Sequence, residues 1–237
     1  MEEAIVSGLT ALNLLEQVPP QAPAQLTRYG QLLLEKNQVM NLTAITDPDQ
    51  VVKLHMLDCA ALLNYGEFHE KRLIDVGTGA GFPGLVLKIL VPSLEVVLLD
   101  SLNKRLDWLS EVAETLGLTG VETLHARAEE QALRPGWRDS FDLATARAVA
   151  SLELLSELCL PYVKVGGRFL AMKSVDCGEE LDRAAHAVKL LGGRQEAPFD
   201  YAIPGAGVTH RAVLIRKAAP TLKGYPRRWA KIQKEPL

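Results

Sequence analysis

The sequence predicts an α/β fold with a mostly parallel sheet of seven strands, an antiparallel strand at one edge and a helical cap before the sheet. Three observations predict it. From Arg72 onward, apolar segments of strand length alternate with segments of helical pattern. A glycine-rich turn, residues 77–84, joins the first strand to its helix. Before Arg72 the apolar spacing is helical, so the sheet is built from the later part of the chain.

The spacing of apolar residues in the N-terminal part predicts three helices, at residues 2–17, 22–37 and 48–64. Pro19-Pro20 ends the first helix because proline lacks a backbone N–H donor. Asp47-Pro48 is a typical helix start, with proline in the first turn. We therefore expect residues 1–70 to form a helical cap on the sheet.

The sheet region continues the alternation, and its last two strands form a hairpin around Pro204 to Gly207. Residues 71–217 are therefore predicted to form the main domain, and the basic, proline-punctuated residues 218–237 a tail packed on it. The predicted strands cover residues 72–76, 95–99, 121–124, 141–145, 165–172, 196–203 and 209–216. The predicted helices between them cover residues 83–91, 103–117, 151–160 and 178–191.

The composition is that of a globular protein, with 48% hydrophobic residues and a net charge of −3. Any contact with nucleic acid therefore needs a local basic patch. Three scattered cysteines and isolated histidines predict a cytoplasmic protein without a metal site. Lys88 and Pro92 interrupt the longest apolar run, so we expect no membrane span, and we expect a monomer.

The glycine turn fits two nucleotide cofactors. Counted from Gly79 it matches the dinucleotide pattern G-x-G-x-x-G, and counted from Gly77 it matches the D-x-G-x-G-x-G turn of enzymes that use S-adenosylmethionine (AdoMet). The strand ends directly before Gly77, and Phe82-Pro83 would crowd a pyrophosphate. The residues therefore favour AdoMet over NAD.

Polar residues also follow the next three strands. Asp100 closes the second strand, where a carboxylate can accept both ribose hydroxyls, although such acids often only cap a helix. Ala128 and Glu129 follow the third strand, where an adenine would lie, and Arg147 follows the fourth. Because these strand ends meet at one edge of a parallel sheet, we expect one shared pocket.

The reaction centre has two candidate catalytic residues, Arg147 and Lys173, at the ends of the fourth and fifth strands. The chain lacks the Asp-Pro-Pro-Tyr type of loop that amino-group methylases use, and Cys159 lies in a helix, away from any Pro-Cys pair. A ring nitrogen such as guanine N7 has a free lone pair, so methyl transfer to it needs alignment and no general base. The absence of an obvious base is consistent with that chemistry.

Candidate RNA contacts lie in the tail and on the third helix. Basic and aromatic residues alternate in the tail, which suits phosphate neutralisation and base stacking. His55 lies three residues before Asp58 on the third helix, where a satisfied polar pair is the ordinary explanation. The candidates are His55, Arg227, Arg228, Trp229 and Lys231.

Together these motifs resemble the bacterial small-subunit (16S) ribosomal RNA guanine-N7 methyltransferase family, also called glucose-inhibited division protein B. The resemblance runs from about Asn37 to Leu237 and departs at Lys36, at Cys59 and in the tail. The matching segments are Asn41-Leu-Thr43, His55 to Asp58, Asp75 to Gly84, Asp100 to Leu102 with Lys104-Arg105, Arg127 to Glu129, Arg147-Ala148, Tyr225 to Arg227 and Pro236-Leu237.

The resemblance implies a class I AdoMet-dependent methyltransferase with a Rossmann-like fold, acting on N7 of one guanine in small-subunit rRNA, free or in a small ribosomal particle. The cofactor contacts that it implies are Gly77, Phe82, Ala128, Glu129 and Arg147. Further candidates for cofactor binding are Gly79 in the glycine turn and the ribose candidate Asp100 with its neighbours Ser101 and Leu102. Two alternatives stay open: a methyltransferase acting on a small molecule or protein, and a non-catalytic protein that binds AdoMet or RNA.

Overall fold

One eight-stranded sheet organises the computed structural model, which describes residues 1–147 and 149–237. Ala148, part of the Arg147-Ala148 match, lies outside the described residues. The strands run in the order β3-β2-β1-β4-β5-β8-β6, and β7 also pairs with β8. Their bounds are β1 (Arg72–Val76), β2 (Glu95–Asp100), β3 (Val121–His125), β4 (Phe141–Arg147), β5 (Val163–Ser174), β6 (Gly193–Gln195), β7 (Phe199–Ala202) and β8 (Thr209–Lys217).

Strands β1 to β5 are parallel to one another, and β8 is antiparallel to β5. The predicted fold class is therefore confirmed. The predicted strand at 196–203 differs, because β6 and β7 pair with β8 separately. Between Gln195↔Ile215 and Phe199↔Ala212 this strand advances four residues while β8 advances three, so one extra residue bulges. Pro198 lies in the gap and has no N–H for the ladder.

The helices follow the predicted order, with local differences. The first ends at Ala11, short of residue 17, because Asn13 takes the left-handed conformation with φ of 58°. The predicted helix 48–64 contains a π-helical turn. The bounds are α1 (Glu2–Ala11), α2 (Ala22–Asn37), α3 (Pro48–Val51), a π-helix (Val52–Leu57), α4 (Asp58–Ala60), a 3-10 helix (Ala61–Asn64), α5 (Gly84–Leu90), α6 (Asn103–Thr115), α7 (Ala128–Gln131), α8 (Leu152–Cys159), a 3-10 helix (Leu160–Tyr162), α9 (Gly178–Leu190) and α10 (Trp229–Lys234).

The sheet separates two apolar clusters. Strand β1 supplies Leu73 to one cluster and Ile74 to the other, since successive side chains of a strand point to opposite faces. Leu26 of α2 packs in the first cluster with Leu85 of α5, so the N-terminal helices and the sheet share a core. The hydroxyl of Tyr29 donates to the carbonyl of Ala80 in the glycine turn. The N-terminal helices are therefore fixed against the turn. None of the helices in the described residues has the length and apolar character to cross a membrane.

Candidate cofactor and substrate site

A pocket of about 490 Å³ lies at the carboxyl ends of β1 to β4. Strand β1 has β2 on one side and β4 on the other, so the pocket lies where the strand order reverses. Open α/β sheets bind their ligands at this position. The predicted residues that line the pocket are His55, Gly77, Gly79, Phe82, Asp100, Ser101, Ala128, Glu129, Arg147 and Trp229.

The glycine turn forms the floor of this pocket. Gly77 and Gly81 have φ of +70° and +93°, a region that side-chain-bearing residues rarely adopt. A Cβ at Gly77 would lie 2.7 Å from Cγ2 of Val149, and one at Gly81 would lie 2.6 Å from the Tyr29 hydroxyl. The turn presents bare backbone at Gly77 and Gly79 to the pocket, a glycine cradle that fits close approach of a cofactor.

A buried carboxylate holds the turn in shape. Asp75 accepts hydrogen bonds from the Thr78 hydroxyl at 2.7 Å, the Gly84 N–H at 3.0 Å and the Thr145 hydroxyl at 3.1 Å. Burial raises the pKa of Asp75 to about 6, while the three hydrogen bonds act in the opposite direction. Asp75 therefore ties β1 to the turn, to the start of α5 and to β4.

Asp100 connects the end of β2 to the same turn. Its Oδ2 accepts from the Gly79 N–H at 2.9 Å, and its Oδ1 accepts from the Leu102 N–H at 2.9 Å. The carboxylate thus faces the pocket while it fixes the turn, which fits a group that also accepts ribose hydroxyls. Leu102 takes part through its backbone; its side chain is exposed and does not line the pocket.

The end of β3 supplies the next wall. Ala128 and Glu129 are buried in the first turn of α7. Arg127 Nε donates to Glu129 Oε1 at 3.3 Å, and the Arg127 guanidinium lies 5.5 Å from the centre of the Trp229 ring. Trp229 comes from the C-terminal tail, so the tail reaches the wall assigned to adenine.

Arg147 is held from the cap side of the pocket. Its Nη1 donates to the Leu54 carbonyl at 3.1 Å and to Asp58 Oδ2 at 3.3 Å. Its guanidinium lies 4.9 Å from the centre of the Phe82 ring. Asp58 is buried, so this ion pair forms away from solvent. The geometry fixes the guanidinium beside Phe82 at the pocket wall.

His55 lies inside this cluster. Its ring stacks on Phe82 at 4.7 Å, Arg147 Nη2 lies 3.1 Å from Nδ1, and Nε2 lies 2.8 Å from the Thr43 hydroxyl. Nδ1 also lies 3.1 Å from the Leu54 carbonyl, so it faces one donor, Arg147, and one acceptor. Burial, aided by Arg147, lowers the pKa of His55 to about 4. His55 is thus a neutral pocket residue, and its role as an RNA contact stays a prediction.

Four other predicted residues lie outside the pocket lining. Lys173 Nζ donates to Glu180 Oε1 at 2.6 Å and to the Ala150 carbonyl at 2.9 Å, so its placement gives no support to a catalytic role. Arg227 binds Glu157. Arg228 and Lys231 are exposed.

Sequence reasoning assigned no site role to several lining residues. For Thr43 the sequence did hold a hint, because the polar side chain of Asn37 fixes the backbone around Thr43. Its Oδ1 accepts from the N–H groups of Leu42 and Thr43 at 2.8 and 3.0 Å, and its Nδ2 donates to the Thr43 carbonyl at 2.9 Å. The other lining residues without a predicted site role are Leu42, Val76, Thr78, Ala80, Leu99, Arg105, Ala126, Arg127, Val149 and Leu158.

Across the described part of the chain, no cluster of three or more His, Cys, Asp or Glu side chains is arranged to hold a metal ion. The pocket instead presents a glycine cradle and a carboxylate at successive strand ends. These are the features that fit AdoMet.

Comparisons with known proteins agree with this geometry. The family model described as "GidB: rRNA small subunit methyltransferase G" matches residues 22–200. The chain is 46% identical to ribosomal RNA small subunit methyltransferase G of Clostridium perfringens (strain 13 / Type A), over 88% of each chain. It is 42% identical to the protein of that name from Clostridium tetani (strain Massachusetts / E88), over 89% of this chain and 88% of the relative.

Solved structures share the fold. TrmN from Thermus thermophilus aligns with a TM-score of 0.52 at 24% identity, over 68% of this chain and 48% of TrmN. A SAM-dependent methyltransferase from Aquifex aeolicus aligns with a TM-score of 0.52 at 19% identity, over 71% and 93%. The fold is that of a class I AdoMet-dependent methyltransferase, with AdoMet as its cofactor. Since the family model and the relatives also cover most of the sequence, the chain belongs to the rRNA small subunit methyltransferase G family.

Proposed function

We propose that this protein transfers a methyl group from AdoMet to N7 of one guanine in small-subunit ribosomal RNA. The observation that carries the proposal is the match to the family over residues 22–200, with the glycine cradle and its neighbouring strand ends in one pocket. The family relates the chain to rRNA. The pocket relates it to a nucleoside cofactor.

The chain's own residues would hold the cofactor at four strand ends. The backbone at Gly77 and Gly79 allows close approach, Asp100 accepts from ribose hydroxyls, and the Ala128–Glu129 turn lies beside the adenine. Arg147 provides a fixed positive charge at the end of β4. AdoMet supplies an electrophilic methyl group on a sulfonium.

The acceptor chemistry suits the side chains in the pocket. Guanine N7 carries a lone pair and no proton, so the protein has to align the base and exclude water. His55 is the neutral imidazole there, and both of its ring nitrogens are engaged, by Arg147 and Thr43. The site is therefore built for positioning and electrostatic support.

The RNA side of the proposal rests on exposed cations of the tail. Arg228, Lys231 and Lys234 are exposed, and α10, on which the two lysines lie, begins at Trp229 beside the pocket. We propose that they bind phosphates of rRNA, free or in a small ribosomal particle. A single chain supplies every wall of this pocket, which supports action as a monomer. The proposed substrate implies action in the cytoplasm.

The test is transfer of labelled methyl from AdoMet to purified RNA. Small-subunit rRNA is offered free and in small ribosomal particles, with large-subunit rRNA as the matched control. We expect label in at least one small-subunit form and none in the control. Failure on both small-subunit forms would contradict the proposal. Label found only in a small molecule or a protein would point to a different acceptor.

A further inference from the structure

The C-terminal tail is anchored to the helix that carries part of the pocket wall. Arg227 donates to Glu157 from its backbone N–H at 2.8 Å, from Nε at 2.9 Å and from Nη2 at 2.7 Å. Glu157 lies on α8 and is 1% exposed. Its neighbour Leu158 lines the pocket. The ion pair therefore fixes the backbone two residues before Trp229.

A second set of contacts holds the chain on both sides of this anchor. The Arg138 guanidinium donates to the carbonyls of Thr221 at 2.6 Å and Tyr225 at 2.7 Å. After the anchor, Ile232 of α10 is fully buried in the apolar cluster beneath. The tail is thus attached before, at and after Arg227, and these contacts flank Trp229, so the position of the ring relative to the pocket is set by folding.

Trp229 faces the wall that follows β3. It lines the pocket with Ala126, Ala128 and Glu129 and is only partly exposed. The Arg127 guanidinium lies over its ring, 5.5 Å from the ring centre. Any base stacking on that face, of RNA or of a cofactor, would have to displace Arg127, so the part of the ring available to a cofactor is the part that lines the pocket. The other parts of the ring meet the pocket and the cluster below.

We propose that Trp229 is an AdoMet-binding residue that closes the adenine end of the pocket, and that Arg227 is a positioning residue acting through it. The inference rests on the AdoMet site proposed above. An aromatic ring presents a broad apolar surface that matches a purine, and aromatic pairing adds affinity beyond buried area. The tail then contributes to cofactor binding as well as to RNA contact.

The experiment measures AdoMet affinity by calorimetric titration of the full chain without RNA. We expect Trp229→Ala to weaken binding by about two- to tenfold, the range of one aromatic pair. Trp229→Phe keeps a ring and should restore most of the affinity. Leu222→Ala, an exposed apolar residue of the same tail outside the pocket lining, is the matched control and should keep the native Kd.

The role of Arg227 is tested by a double-mutant cycle. If Arg227 acts through Trp229, Arg227→Ala weakens AdoMet binding, and adding it to Trp229→Ala gives no further loss. Additive losses would contradict the positioning role. Should Arg227→Ala fail to fold, Trp229→Ala and Trp229→Phe leave the ion pair intact and still decide the main inference.

A native AdoMet affinity in Trp229→Ala would overturn the proposal, and a raised KM for rRNA in the same variant would assign the ring to RNA. Tryptophan fluorescence gives an independent readout. AdoMet should change the emission of the wild type and leave that of Trp229→Phe unchanged. Since no RNA is present in the binding assays, failure here leaves the proposed methyl acceptor untouched.

Discussion

At Gly77, the backbone conformation and the packing both require a residue without a side chain. Its φ of +70° disfavours any side chain, and a Cβ there would meet Val149. Gly117 has φ of +65° with nothing within 4 Å of an added Cβ, and it lies outside the pocket lining. The two glycines therefore separate backbone strain from the effect on the pocket.

We predict that Gly77→Asp weakens AdoMet binding by about 100-fold or more, equivalent to about 3 kcal/mol, because it places a branched anionic side chain in the cradle. Gly117→Asp should lose about 1–2 kcal/mol of stability from the same strain and keep native affinity. Calorimetric titration, with thermal unfolding as a check of folding, measures both. Native affinity in Gly77→Asp would show that the cradle does not hold the cofactor.

Two histidines near Arg147 have opposite electrostatic environments. Burial lowers the pKa of His55 to about 4. The hydrogen bond from His210 Nδ1 to Asp58 Oδ1, 2.9 Å long, raises the pKa of His210 above its usual value of about 6.5. Asp58 also accepts from the Tyr201 hydroxyl at 2.9 Å. One buried carboxylate thus links β7 and β8 to the arginine at the pocket.

These shifts affect stability in opposite pH ranges. The folded state binds the His210 proton more tightly than the unfolded state, so this contribution is present below about pH 6.5 and is lost as pH rises through the folded pKa. The folded state resists protonation of His55. About 3 kcal/mol of the free energy of unfolding therefore depends on His55 being neutral. This stability is present above pH 6.5 and is lost as pH falls toward about 4.

We predict that NMR titration finds the imidazole of His55 uncharged down to about pH 5, while His210 stays charged above pH 6.5. Spectra of His55→Gln and His210→Gln assign the two resonances. In urea unfolding, the wild type should lose about 3 kcal/mol more than His55→Gln between pH 7 and pH 4. Titration of His55 at its ordinary pKa would refute its buried, neutral placement.

At the scale of elements, the tail depends on one ion pair. The side chains of Arg227 and Glu157 are 13% and 1% exposed, so the loss of one partner leaves the other charge buried. We predict that Arg227→Ala lowers the free energy of unfolding by about 3–5 kcal/mol. Urea denaturation measures this loss.

The adjacent exposed Arg228 provides the matched control. Arg228→Ala should change stability by less than about 0.5 kcal/mol and should weaken binding to rRNA. Combining Arg227→Ala with Glu157→Gln removes the unpaired charge and should recover part of the stability. Equal stability of Arg227→Ala and the wild type would mean that the tail is not anchored in solution.

Elements whose signal is local were predictable from sequence. Strand β1 and its turn follow from an apolar run that ends in alternating glycines, and Asp47-Pro48 marks the start of α3. The π-helix Val52–Leu57 was not predictable, because it forms where the Leu54 carbonyl meets Arg147, 93 residues away in sequence. The bulge between β6 and β7 likewise depends on pairing with β8.

The site shows the same division between local and distant signals. The cofactor residues at strand ends were predictable, because parallel topology alone brings those ends together. The inward placement of His55 and Trp229 was not. Trp229 reaches the pocket because the nearby Arg227 binds Glu157, which lies 70 residues away in sequence. An exposed basic tail and an anchored one have the same local composition, so composition alone does not distinguish them.

For the whole molecule, the pocket draws on all three predicted parts of the chain. Thr43 and His55 come from residues 1–70, the strand ends come from residues 71–217, and Trp229 comes from residues 218–237. The cap and the sheet share an apolar cluster, which contains both Leu26 and Leu85. The arrangement of cap, sheet and tail is therefore what forms the walls of the pocket.

The decisive measurement is mass mapping of small-subunit rRNA after reaction with the protein and AdoMet, with Gly77→Asp as the inactive control. We predict one added methyl group, on one guanine, and chemical cleavage diagnostic of N7-methylguanine at that nucleotide. A methyl group on an exocyclic amine or a ribose, or no methyl group on this RNA, would contradict the proposed reaction.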